Sequence, residues 1–151
     1  MPIRVLLVDD VPETLQALYL QYSLHPSVEV IGVARTISEA LCTLKSTPAN
    51  LVSVDIYMGD ENGLDLCRLL HDRFPDIFII ICSIADSALL RNMAYESGAH
   101  YFIPKPVSYK DVCAVTQAYR RFSQRKRDCV HVDDDVTTWI EAVLTDLESR
   151  K

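Results

Sequence analysis

The sequence predicts a doubly wound α/β fold on a five-stranded parallel sheet, and three observations predict it. Short apolar runs recur five times, each followed by a segment with helical spacing of its apolar residues. The runs at 3–8 and 77–82 do not alternate with polar residues, as expected of strands covered on both faces. Strand and helix alternate throughout, which calls for parallel strands with right-handed crossovers and helices on both faces.

The first run, 3–8, stops at Asp9-Asp10. Pro12 then suits the first turn of a helix, with Asp10 available as its cap. Val11, Leu15, Leu18 and Tyr22 carry that helix to about residue 24. Residues 28–34 form the second strand, and Thr36-Ile37-Ser38-Glu39 has the pattern of a capping box. The next helix buries Ile37, Ala40, Leu41 and Leu44 and closes before Pro48. A third strand at 51–54 runs into Asp55, a polar loop containing glycine, and a helix marked by Leu66, Cys67, Leu70 and Phe74. Residues 77–82, the most apolar segment, are expected to be a central strand ending at Ser83. Leu89, Leu90, Met93 and Ala94 pattern a fourth helix, stopped at Ser97-Gly98. A last strand at 100–103 leads to Pro104-Lys105-Pro106. Ser108-Tyr109-Lys110-Asp111 then opens a helix striped by Val112, Val115, Tyr119 and Phe122.

At 151 residues the chain is expected to hold about one domain, at 1–122. A charged linker at 123–134 and an amphipathic helix at 135–149, with Val136, Trp139, Ile140, Val143, Leu144 and Leu147, are expected to follow. That helix could fold back, pair with a second copy, or begin a further output region. Its early acids and Arg150-Lys151 suit the helix dipole. The net charge of −6 argues against a nucleic-acid surface, and Arg120, Arg121, Arg125, Lys126 and Arg127 read as helix-end and linker cations. Five cysteines without a Cys-x-x-Cys pair read as reduced thiols. Neither a signal peptide nor a bilayer-length apolar stretch is read, so a soluble cytoplasmic protein without membrane partners is expected.

In a parallel sheet all strand C-termini share one edge, where ligand chemistry gathers. Asp9, Asp10, Asp55, Ser83 and Lys105 all fall there. Three carboxylates placed together repel unless a cation neutralises them, and hard oxygen donors select Mg²⁺ or Mn²⁺. Asp55 then reads as a nucleophile for a phosphoryl group, with Ser83 as hydroxyl donor and Lys105 as fixed cation.

Val8-Asp9-Asp10, Asp55-Ile56-Tyr57-Met58 with Gly63 eight residues after Asp55, Ser83, and Lys105-Pro106 together resemble the receiver domain of two-component response regulators. The likeness spans residues 3–122. It implies a flavodoxin-like (CheY-like) sheet of order 2-1-3-4-5 and a phosphoprotein switch in a phosphorelay. Asp55 would be the phosphoacceptor. Asp10 would bind the metal directly, Asp9 through water, and the Tyr57 carbonyl would complete the protein ligands. Ser83 and Lys105 would contact the phosphate, Phe102 would be the switch aromatic, and the Lys105-Pro106 bond would be cis. Implied partners are a sensor histidine kinase or phosphotransfer domain and a downstream protein target or output domain.

Four positions depart from the family pattern. Gly59 replaces the usual proline, Ile84 replaces a small residue and is expected to narrow access to Asp55, and Tyr57 and Ala85 supply no amide or carboxylate to orient water. A long-lived phosphorylated state, poorly loaded by small phosphodonors, is the expectation. An enzyme acting on an external substrate is not expected: an Asp-nucleophile phosphatase of the haloacid-dehalogenase type needs an acid where Tyr57 stands. A flavodoxin-like flavin carrier needs a phosphate loop where Asp9-Asp10 stands. The remaining alternative is the receiver part of a longer regulator with a DNA-binding or enzymatic output.

Overall fold

The five apolar runs become the strands of one sheet. The computed structural model describes residues 1–149, and the side chains of all of them except 129–139 and 147. In chain order the elements are β1 (Ile3–Val8), α1 (Pro12–Ser23), β2 (Val28–Ala34), α2 (Ile37–Ser46), β3 (Leu51–Val54), β4 (Tyr57–Met58), β5 (Glu61–Asn62), α3 (Gly63–Arg73), β6 (Phe78–Ser83), α4 (Ala88–Glu96), β7 (Tyr101–Pro104) and α5 (Tyr109–Ser149). The main sheet is ordered β2-β1-β3-β6-β7, which is 2-1-3-4-5 when its own strands alone are counted. Every pair in it is parallel. Strand β6 is fully buried and lies between β3 and β7, so it is interior, while β3 takes the middle place.

Burial on both faces explains why β1, β3 and β6 are apolar without alternation. One residue set, Leu6, Val8, Val52, Val54, Ile79 and Ile81, forms a cluster with Ala40 and Leu44 of α2, Leu64, Leu66 and Leu70 of α3, and Ala94 of α4. The alternate residues Val5, Leu7, Ile80 and Cys82 are buried as well, and by the two-residue period of strands they point to the opposite face. There the sequence-predicted stripes Leu15, Leu18 and Tyr22 of α1 and Val112 and Val115 of α5 are buried.

The caps were partly as expected. Thr36 Oγ1 accepts from Glu39 N at 3.1 Å, but the Glu39 carboxylate returns to Arg35 N rather than to Thr36. Ser108 and Asp111 close a reciprocal box, at 2.9 and 3.2 Å. Asp10 does not cap α1: Val11 takes the N-cap position and no side chain caps it. The Asp10 carboxylate lies instead at the sheet edge with those of Asp9 and Asp55, and it is Asp9 Oδ1 that accepts from Val11 N. On α4, Leu89 and Met93 are exposed, and only Ala94 of the expected stripe is buried.

The chain forms two units, Met1–Tyr119 and Arg120–Lys151. Residues 123–134, expected as a linker, are helical, because α5 continues from Tyr109 to Ser149. No glycine or proline occurs after Pro106 to break it, and Gln124 bonds both Arg127 and Asp128 within the same helical surface. The acids near 135 therefore do not begin a helix. Ile140, Val143 and Leu144 are exposed, whereas Val136, Trp139 and Leu147 lie outside the described side chains. Among the described residues, no helix is long and apolar enough to cross a membrane.

Glycine is obligatory where α3 begins. A Cβ on Gly63 would lie 1.8 Å from the Asp55 carbonyl oxygen, and Gly63 N donates to Ile56 O at 2.7 Å. Gly63→Ala is expected to cost at least ~2 kcal/mol, read as a lower urea midpoint at unchanged denaturant slope. An unchanged midpoint would contradict the close approach.

Candidate functional site

The parallel sheet brings the predicted polar residues to one edge. Asp9 and Asp10 follow β1, Asp55 follows β3, Ser83 ends β6 and Lys105 follows β7. Asp9, Asp10 and Asp55 each offer a carboxylate oxygen within 4.8 Å of the others. Lys105 Nζ donates to Asp9 Oδ2 at 2.5 Å and lies 3.5 Å from Asp55 Oδ2. Asp9 and Ser83 are fully buried, and Asp55 is only 7% exposed.

This geometry sets the electrostatics. Burial pushes the Asp55 carboxyl up to about 6, with the charge of Lys105 opposing the rise and that of Asp9 adding to it. For Lys105, burial disfavours the ammonium, but its hydrogen bond to Asp9 and the charges of Asp55 and Asp9 more than compensate. The lysine is held above its ordinary range.

The loop after Asp55 is a small hairpin. Strands β4 and β5 pair antiparallel around Gly59 and Asp60, and Gly59 has φ 60° while Asp60 does not have positive φ. That is the two-residue turn with glycine first. Proline, locked near φ −65°, cannot adopt it, which explains the departure at this position. Asn62 Oδ1 accepts from Leu64 N at 2.9 Å and starts α3. The Tyr57 side chain is 63% exposed and Ile84 82% exposed. Ile84, Lys105 and Pro106 line one side of an open cleft of about 580 Å³, with α1 forming the other.

Ser83 Oγ accepts from Ala85 N at 3.2 Å. Phe102 is buried, with the Arg91 guanidinium 4.8 Å above its ring, and Arg91 also pairs with Asp86 at 2.6 Å. One side chain thus joins the loop after Ser83 to Phe102. The Lys105-Pro106 bond is cis, as the resemblance implied.

The second strand also reaches the site, through a residue that sequence reasoning missed. Arg35 directly follows β2, and its guanidinium donates twice to the Asp10 carbonyl, at 3.0 and 3.2 Å. Two residues on, Ile37 N donates to Glu61 Oε1 at 3.1 Å, tying the same loop to the hairpin. Strand-end position, the rule that found Asp9 and Asp55, would have flagged Arg35.

Three hard carboxylate donors, with no thiolate or imidazole among them, fit a divalent cation of the Mg²⁺ or Mn²⁺ kind. The cluster and its lysine share the C-terminal edge of a doubly wound parallel sheet, where folds of this class place their ligand sites. The chain matches the response regulator receiver domain family over residues 5–117, and it belongs to that family. It is 33% identical over 132 residues to protein-glutamate methylesterase/protein-glutamine glutaminase 2 of Methanospirillum hungatei JF-1, covering 82% of this chain and 38% of that protein. It is 31% identical over 122 residues to response regulator MprA of Mycolicibacterium vanbaalenii, covering 80% and 52%. The chain therefore spans about half or less of the length of these relatives. Among solved structures, a CheY-like receiver domain protein from Methanospirillum hungatei JF-1 superposes with a TM-score of 0.72 at 24% identity, covering 83% of this chain and 99% of that one. The receiver domain of NarL from Mycobacterium tuberculosis gives 0.73 at 22%, covering 79% and 97%.

The raised Asp55 carboxyl has a consequence for stability. Its folded value of about 6 exceeds the ordinary 3.8, so its contribution is fully present below about 4 and is lost as pH rises through about 6. Asp55→Asn is therefore expected to stabilise the metal-free protein at pH 7.5 by about 1–3 kcal/mol. The gain should shrink toward zero as pH falls below about 4. Chemical denaturation across that range checks it; a variant less stable than wild type at pH 7.5 would refute it.

Proposed function

We propose that the chain is a phosphorylation-controlled switch whose phosphoacceptor is Asp55. The carrying observation is the placement of its carboxylate beside Lys105 and within 4.8 Å of two further acids at the sheet edge. Asp55 Oδ forms the new P–O bond as the P–N bond of a donor phosphohistidine breaks, and the departing imidazole takes up a proton. The donor is a histidine kinase or phosphotransfer domain. Asp10 would hold Mg²⁺ directly, Asp9 through water, with Asp55 and the Tyr57 carbonyl completing the set. The ion, when bound, neutralises charge on the transferring phosphoryl oxygens. Lys105 then supplies a fixed cation and Ser83 a hydroxyl donor, because the bond it accepts from Ala85 N leaves its own proton free to donate. Phe102, linked by Arg91 to the loop after Ser83, carries the change to the protein-binding surface.

The reading disfavours an Asp-nucleophile phosphatase of the haloacid-dehalogenase type: the position two residues past Asp55, where that chemistry needs an acid, holds Tyr57. A second reading, a receiver portion of a longer regulator with an enzymatic or DNA-binding output, is favoured by the length of the relatives, of which this chain spans 38% and 52%.

Incubation with a cognate phosphorylated kinase and Mg²⁺ is expected to label wild type and not Asp55→Asn or Asp55→Ala. Label persisting on those variants would remove Asp55 from the role. Because Tyr57 and Ala85 place no amide or carboxylate at the site mouth, the phosphorylated state should be long-lived. In Tyr57→Asn, hydrolysis is expected to speed up several-fold through better orientation of water. The phospho-Asp55 half-life of both proteins decides this, and a short wild-type half-life left unchanged by the substitution would overturn it.

A further inference from the structure

Most of the second unit, Arg120–Lys151, divides by charge. Residues 120–127 carry five cations and no acid, residues 128–149 carry seven acids and no cation, and Arg150-Lys151 close the sequence. Both blocks lie on one uninterrupted helix. A stripe at intervals of three and four runs through the same unit: Phe122, Lys126, Cys129, Asp133, Val136, Ile140, Val143 and Leu147. Of its described apolar members, Ile140 and Val143 are 45% and 39% exposed, and Leu144 beside them is 55% exposed. Lys126 shields part of the stripe by lying 5.7 Å over the Phe122 ring.

We propose that this face is covered by a second copy of the chain, running antiparallel. The occupant follows from charge: a parallel copy would set five cations against five cations and repeat Lys126 against Lys126 and Asp133 against Asp133 at the seam. An antiparallel copy that pairs the stripes sets residues 120–127 of each chain against Glu141, Asp146 and Glu148 of the other, and leaves the central Asp133-Asp134-Asp135 segments facing like charge. The pairing is independent of phosphorylation at Asp55.

Sedimentation equilibrium of the full chain tests it, with circular dichroism to verify helix content. The wild type is expected to be dimeric, and to weaken as salt screens the blocks. Reversing one block, R121E/R125E/R127E or E141K/D146K/E148K, is expected to raise the dissociation constant at least ~10-fold. A chain carrying both reversals is expected to regain the wild-type value. A monomeric wild type overturns the proposal. So does a dimer indifferent to single-block reversal, which would mean parallel strands or another surface.

Discussion

One ammonium group, Lys105 Nζ, stands between two buried carboxylates, 2.5 Å from Asp9 and 3.5 Å from Asp55. Much of the molecule follows from the need to bring those three groups together. They come from residues 9, 55 and 105, so no local segment can assemble them. A parallel sheet does, because each crossover returns the chain with the same polarity and delivers the next strand end to the same edge. Crossovers in turn require helices, and helices on both faces require strands that are apolar throughout. The uninterrupted burial of β6 and the acidic edge are thus two results of one topology.

The cluster sets three acids against one lysine, and the Asp55 carboxyl is raised chiefly by its burial, with the charge of Asp9 adding to the rise and that of Lys105 opposing it. The surroundings hold the cluster through the main chain more than through further charge. Arg35 grips the Asp10 carbonyl, Asp9 accepts from Val11 N, and α3 is seated against the Asp55 carbonyl. Such supports fix the loops without adding a second charged side chain to the cluster, so that Lys105 is the cation facing Asp9 and Asp55 among the described residues.

Most of this was legible in the sequence because it is written in local patterns. Five apolar runs ended on polar residues; the boxes at Thr36 and Ser108 and the stripe at Val112 and Val115 are spacing signals. What escaped was long-range or negative. Arg35 acts on a residue 25 positions away; its place at the end of β2 was a signal, but its partner, a backbone carbonyl, was not. Asp10 suited both a helix cap, by its place before Pro12, and a metal ligand, by its place at a strand end; in the structure its carboxylate lies with those of Asp9 and Asp55 and does not cap α1. The linker was inferred from charge, whereas the informative feature was the absence of any glycine or proline after Pro106. The departure at Gly59 was visible, but its reason, a positive φ, was not.

Gly63 and Asp55 touch, yet they answer to different pressures. The glycine is there because the chain cannot close around the sheet edge with any larger residue. The aspartate is there although the metal-free fold would be better off without its charge. A side chain added at the first would displace the backbone where α3 begins, whereas a neutral isostere at the second changes the charge of the cluster and leaves that backbone path in place.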